Sequence, residues 1–402
     1  MHPAYQLADT ADLFSPAIVF FPKLIEGNIR RVIEMAGTPD RLRPHVKTHK
    51  TVEIAKMLLA AGVTKHKCAT IAEAEMLATA GAPDALIAYP LVGPNVRRAA
   101  ELVRKFPGTT FSALIDDANA ARELSSALAA SGGTIGAVLD LDVGQHRTGI
   151  AVGPAALALY ELAGSLPGLR LDGFQLYDGH NNQPDRAERE KAVREFVKPV
   201  LELRAQAEAK GLAVPRLVCG GTPSFPVYAA MADVPGVECS PGTFVLHDAG
   251  YGPKYADLSG ITPAAVLVTR VVSRPTPTRV TLDLGNKAVA ADPVLEKRVT
   301  LLDFPEYKTV GHNEEHLIVE TPAAGDYAPG DVVYALPGHV CPTVALHREV
   351  LVAARWSANG TWPPACACSR CEAPAATSPP PARTGGRRSC RGRAPTPTSR
   401  PG

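Results

Sequence analysis

The sequence predicts an α/β fold: a (β/α)8 barrel of the TIM type, followed by a C-terminal, mainly antiparallel β domain. Three observations carry that prediction. Apolar runs alternate with amphipathic helical stretches from about residue 16 to residue 250. Strands alternating with helices mean βα units around a parallel sheet. No Gly-x-Gly-x-x-Gly follows the first strand, which counts against an open dinucleotide-binding sheet. From about residue 260 the runs become short and β-branched, separated by Pro, Gly and Asp, as in antiparallel β structure.

The units follow in order. "AIVFF" precedes the helical "KLIEGNIRRVIEMAG", "HVKTHK" precedes "TVEIAKMLLAAG", and "HKCAT" precedes "IAEAEMLATAG". "DALIAYPLV", "TFSALIDD" and "GAVLDLDVG" each lead into an Ala/Leu-rich amphipathic stretch. "LDGFQLYDGH" leads into the long "RAEREKAVREFVKPVLELRAQAEAKG". "RLVCGG" precedes "PVYAAMADV", and "VECSPGTFVL" closes the series. The barrel is expected over residues 1–255. "AAVLVTRVV", "TRVTLDLG", "EHLIVETP" and "DVVYALPGHV" then build a β domain over 256–356. Residues 357–402 hold nine prolines and almost no aliphatic side chains, so they are expected to be disordered. Their composition differs enough from the body to suggest a reading frame lost after residue 356.

Of 402 residues, 46% are apolar and 20% charged, as in a soluble globular protein. The net charge of +2 hides a division: the tail has seven arginines and one acid, leaving residues 1–356 at about −4. A mildly acidic body argues against a nucleic-acid partner. No apolar run is long enough to span a membrane, and the N-terminus lacks a secretory pattern, so the cytoplasm is the expected compartment. Cys68, Cys219, Cys239 and Cys341 are scattered and do not form a disulfide framework.

Barrel enzymes place their chemistry where strands end. "RPHVKTHK", residues 43–50, is one such end. If extended, it places His45, Lys47 and His49 on one face and Val46, Thr48 and Lys50 on the other. Neighbouring positive charge then favours an uncharged Lys47, as an imine-forming lysine requires. A solvated basic loop is the alternative. "GGTPS" and "SPGTF" end the last two strands. Their glycines let backbone N–H groups approach an anion, and barrels often bind phosphate at those loops. An early-strand lysine with a late-strand phosphate nest points to pyridoxal phosphate. In "PGHVCPTVALH", His339 and Cys341 at i and i+2 of a strand would share a side, half a site for a divalent metal. A buried cysteine beside a satisfied histidine is the alternative. "GHNEEH" offers His312, Glu314, Glu315 and His316 as supporting groups, acid/base groups or a polar hairpin end.

Taken together, "RPHVKTHK", "YDGH", "CGGTP", "SPGTFVLHDAGY" and "GHVCPTV" resemble the D-threonine aldolase / D-serine dehydratase family of fold-type III pyridoxal phosphate enzymes. The similarity runs from about residue 16 to residue 356. It implies an alanine-racemase-like barrel, a β domain and a homodimer. By the same resemblance, Lys47 is the Schiff-base lysine, Arg147 lies near the cofactor ring and Tyr177 contacts the cofactor. Gly221, Thr222, Gly242 and Thr243 form the phosphate cradle, and His339 and Cys341 hold the metal, zinc first and manganese as the alternative. Family members often carry Asn before this histidine, where this chain has Gly338. The implied activity is lysis of a D-3-hydroxy amino acid. Cys341 tilts the reading toward β-elimination to a 2-oxo acid and ammonia, with retro-aldol cleavage to glycine and an aldehyde as the alternative. An amino-acid racemase is a more distant one.

Overall fold

The computed structural model describes residues 5, 7, 10–302 and 304–353, and the backbone of 371–372. The sequence-predicted tail therefore lies outside the described residues except for those two positions. The first strand, β1 (Ala17–Phe20), leads into α1 (Pro22–Ala36). After α2 (Val52–Ala60) comes the run β2 (Lys65–Cys68), α3 (Ile71–Ala80), β3 (Asp84–Pro90), α4 (Pro94–Lys105), β4 (Thr110–Ile115) and α5 (Ala118–Ala130). It continues with β5 (Ile135–Asp142), β6 (Ile150–Ala151), α6 (Pro154–Ser165), β7 (Leu169–Leu176), α7 (Arg186–Ala209), β8 (Leu217–Cys219), α8 (Phe225–Ala230) and β9 (Val237–Cys239). Strands β2-β3-β4-β5-β7-β8-β9 are parallel in that order. Several helices start where the sequence supplies the signal. Thr70, Asp117 and Asp185 accept orphan N–H groups of α3, α5 and α7, and Pro opens α1, α4 and α6.

Residues 42–45 close the curled sheet without forming a regular strand. Arg43 N–H donates to the Cys239 carbonyl at 2.8 Å and His45 N–H to that of Pro241 at 3.0 Å. On the other side, Lys67 N–H donates to the Pro44 carbonyl at 2.8 Å. "AIVFF" is therefore not the first barrel strand. It pairs antiparallel with β10 (Ala265–Thr276), with Phe20 opposite Ala265, in the sheet of the second domain. Its alternate faces explain this. Ile18 and Phe20 join the main core, while Val19 packs with Val266 and Val268 in a second cluster.

The barrel floor is charged. Arg43, fully buried, donates through Nε to Glu238 at 2.5 Å and through Nη1 and Nη2 to Asp84 at 2.7 and 2.9 Å. Lys65 reaches the other oxygen of Glu238 at 2.9 Å, and Arg216 reaches Asp84 at 3.0 Å and Asp172 at 3.2 Å. Gly136 leaves the room for this: a Cβ there would lie 2.3 Å from Ser112 Oγ and 2.6 Å from an Asp172 oxygen. An apolar layer of Leu86, Leu114, Val138 and Val218 forms a separate cluster in the barrel.

The β domain adds β11 (Arg279–Leu282), β12 (Val299–Leu302), β13 (Lys308–His312), β14 (Leu317–Glu320), β15 (Val332–Pro337), α9 (Val340–Leu346) and β16 (Glu349–Val352). Its sheet runs β13-β14-β11-β10-β1-β16, and β15 pairs with β10 and β12. All pairs are antiparallel except β1 with β16. A short β17 (Cys371–Glu372) runs antiparallel to β16. Among the described residues no helix is long and apolar enough to cross a membrane.

Candidate cofactor and metal site

The octapeptide is not a strand to its end. After His45 the chain turns into a single 3-10 turn, Val46–Thr48, whose Lys47 N–H donates to His45 Nδ1 at 3.2 Å. Strict alternation therefore fails. Lys47 is exposed, His49 is buried, and Thr51 N–H donates to His49 Nδ1 at 3.2 Å. Lys50, with φ of 52°, turns away to ion-pair with Glu73.

The expected charge logic changes with it. Burial first, then the charges of Lys67 and Lys47, holds His45 well below its usual range. Burial and then His66 push His49 down to about 3, and burial and Arg43 push His66 down to about 4. These imidazoles are uncharged at neutral pH, so the positive field expected from the histidines is absent.

The glycine loops lie against this turn. A Cβ on Gly242 would come within 3.1 Å of His45 and 3.5 Å of Thr48 Oγ1. Gly242 and Thr243 donate their N–H groups to Thr222 Oγ1 at 3.2 and 3.1 Å, which joins the loops after β8 and β9. A Cβ on Gly221 would lie 3.3 Å from the Tyr177 ring. The next residue, Asp178, is buried and accepts from Ser224 Oγ at 2.7 Å, tying the end of β7 to the loop before α8. Arg147 stacks 4.9 Å over Tyr177. Its loop is pinned by Asp142, which accepts from the N–H groups of Gly144 and His146 at 3.0 Å.

The third part comes from the β domain, again in a form the strand reading missed. His339 is the extended N-cap of α9 (φ −140°, ψ 103°), and Cys341 is the second helical residue. Within a helix i and i+2 diverge, but the extended cap keeps the imidazole close enough to the sulfur for the two to interact electrostatically. That sulfur, and then Asp292 at 2.6 Å from Nδ1, raise the His339 imidazolium to about 9. Cys341 Sγ lies 3.1 Å from Thr48 Oγ1 and 3.8 Å from Thr243 Oγ1. Asp248 fixes the helix start by accepting Val340 N–H at 3.1 Å. At Gly338 a Cβ would fall 1.8 Å from the Lys297 carbonyl oxygen, so the chain passes too close there for a side chain.

Arg147, Tyr177, Gly221, Thr222, Gly242, Thr243 and Cys341 thus gather around the turn that carries Lys47, with the α9 cap residue His339 beside Cys341. The "GHNEEH" segment is a polar hairpin end: Glu314 and Glu315 pair with Lys287, and His312 Nδ1 meets Arg298. Among the described residues no group of three or more His, Cys, Asp and Glu could hold a metal ion; His339 and Cys341 are the candidate pair. Sequence reading missed Asp292, Asp248 and Lys67. Only Lys67 had a local signal, a lysine inside a short barrel strand.

The model of the alanine racemase N-terminal domain matches residues 23–245, and that of a putative serine dehydratase domain matches 264–353. A D-threonine aldolase from Arthrobacter sp is 31% identical over 357 residues, covering 87% of this chain and 92% of the relative. A D-threo-3-hydroxyaspartate dehydratase from Delftia sp. (strain HT23) is 26% identical over 372 residues, covering 87% and 97%. The crystal structure of D-threonine aldolase from Filomicrobium marinum superposes with a TM-score of 0.78 at 27% identity, covering 85% of this chain and 92% of that one. The chain belongs to the alanine racemase N-terminal domain family, in the fold-type III pyridoxal phosphate branch that carries a serine-dehydratase β domain.

Proposed function

We propose that this chain is a pyridoxal phosphate- and metal-dependent lyase of D-3-hydroxy amino acids, with β-elimination as its main reaction. The observation that carries the reading is the meeting of three parts. The Lys47 turn, the Gly242–Thr243 loop and Cys341 touch one another, Cys341 Sγ lying 3.1 Å from Thr48 and 3.8 Å from Thr243.

The residues fit the cofactor. Glycine at 242 keeps the loop open where a Cβ would crowd His45, and the Thr222 hydroxyl with the Gly242 and Thr243 amides suits a phosphate. They also fit a divalent metal, because an imidazole beside a thiol suits zinc first and leaves room for water and substrate. When bound, pyridoxal phosphate would supply an electron sink at Cα and a divalent metal Lewis acidity toward the 3-hydroxyl. Lys47 would anchor the cofactor, and its amine is the base that would take the Cα proton. His339 and Cys341 would hold the metal, with Asp292 orienting the imidazole. Arg147 stacked on Tyr177 walls the mouth and orients the ring.

Retro-aldol cleavage is the second reading, favoured by the 31% identity to an aldolase. The reading extends to a homodimer acting on small D-amino acids, without nucleic-acid or membrane partners. Product analysis with D-serine and D-threonine tests it. Pyruvate or 2-oxobutyrate is expected, glycine would move the assignment to the aldolase reading, and D-alanine racemised without metal would overturn both.

A further inference from the structure

Lys67 takes no part in the reaction described above, yet it stands inside the barrel, bridged to the segment that carries Lys47 and within reach of that lysine's charge. On β2, Lys65 and Lys67 share a face. Lys65 reaches Glu238 in the charged floor, so Lys67 points inward one layer higher. Its ladder partners are Leu86, in the inner apolar cluster, and His45, two residues before Lys47. The residue is only 3% exposed. Among the described residues its amine has no hydrogen bond or ion pair, and the little exposure that remains to the residue includes the amine tip. Asp140, the acid that faces it from β5, has its oxygens occupied by Gln175 Nε2 at 3.0 Å and Thr148 Oγ1 at 2.9 Å. The other groups facing Lys67 are Lys47 and His45 on the closing segment, Arg43 below, and Cys219 on β8.

An amine whose stem is buried and whose charge no carboxylate balances is disfavoured as an ammonium. Burial first, then the charge of Lys47, brings Lys67 down to about 7. Perturbed groups of this kind gather where protons move.

We propose that Lys67 is the proton partner of Lys47, an uncharged second amine that takes up the proton Lys47 must shed before it can bond the cofactor again. In that step one N–H bond of the Lys47 ammonium breaks and one forms at Lys67 Nζ, directly or through one water. Lys47 is left as a free amine, and the proton on Lys67 passes to solvent at the mouth. Lys67 acts through Lys47 and is in that sense a positioning residue. The inference rests on the reading of Lys47 as cofactor lysine.

Four measurements on the holoenzyme test it. Lys47→Ala should lose the visible absorbance band of bound cofactor; if it keeps the band, the underlying reading fails. Lys67→Met replaces an unpartnered amine by an apolar side chain of similar length, and should fold and retain that band. Turnover should rise with pH through about 7 in the wild type, as a neutral base requires. In Lys67→Met that inflection should vanish and kcat fall by about 10²–10⁴-fold, the span of general acid–base effects, with KM little changed. Lys67→Ala should be rescued by added methylamine in proportion to its concentration. A Lys67→Met enzyme that keeps both its band and an unaltered pH profile overturns the inference while the Lys47 reading stands. Failure of methylamine to rescue Lys67→Ala also counts against it.

Discussion

Replacing Arg43 by Met tests whether the charged barrel floor holds the segment that delivers Lys47. Methionine keeps the length and apolar stem, so little cavity forms. What is lost is the bidentate pair with Asp84 at 2.7 and 2.9 Å, the contact with Glu238 at 2.5 Å and the bond to the His66 carbonyl at 3.2 Å. Removing one partner of a buried ion pair costs about 3–5 kcal/mol. Asp84 retains Arg216 and Glu238 retains Lys65, so neither carboxylate is stranded, and the cost should lie near the lower end, about 3 kcal/mol. At about 2–4 °C per kcal/mol, melting at pH 7 should fall by about 6–12 °C.

Acid supplies an internal control. Burial pushes Asp84 and Glu238 up, but the hydrogen bonds and charge of Arg43 outweigh it, and both carboxyls sit below their usual range. A carboxylate with a depressed folded pKa stabilises above its unfolded value of about 4, and that stabilisation is lost as pH falls through the lower folded value. The gap between wild type and Arg43→Met should therefore narrow below about pH 4. Melting curves by circular dichroism at both pH values read it. A gap smaller than about 2 °C at pH 7, or one that persists unchanged in acid, would refute the reasoning.

Two further outcomes concern the metal pair. Gly338→Ala forces a Cβ into the Lys297 carbonyl oxygen 1.8 Å away, so the His339 cap must shift. The variant should retain its cofactor band but lose metal on dialysis, and full metal retention would count against the close approach. Asp292→Ala frees the His339 ring and should weaken metal binding by about 10–100-fold in a chelator competition, without changing the cofactor band. An unaltered affinity would show that Asp292 does not orient the ligand.

The barrel and the site were largely legible because motif order and hydrophobic period are local properties. Residues 42–48 show where that ends. A strand period holds up to His45 and fails at the turn, because the closing segment stops pairing there and Val46–Thr48 coil into a 3-10 turn. His-x-Cys was recognised as a pair for the wrong geometric reason: a capped helix start, not a strand, brings the groups together. Asp292 and Asp248 could not have been found from spacing. They lie 47 and 92 residues from their partners at the start of α9; the fold of the β domain itself unites Asp292 with His339, and its packing on the barrel unites Asp248 with Val340. "AIVFF" carried the same apolar pattern as a barrel strand. Periodicity does not say which sheet a strand will join.

That placement of β1 has a consequence for how the protein is made. Residues 17–20 are synthesised early, but their ladder partners, 265–268 and 351–352, come from the ribosome hundreds of residues later. The barrel is in effect inserted into the sheet of the other domain. An apolar segment must wait unpaired while the rest of the barrel emerges, at a stage when open strand edges invite aggregation. The second sheet, and with it the approach of Cys341 to the lysine turn, is then a late event in biogenesis. A nascent chain stopped before residue 265 would have strands β2–β9 but nothing to cover β1.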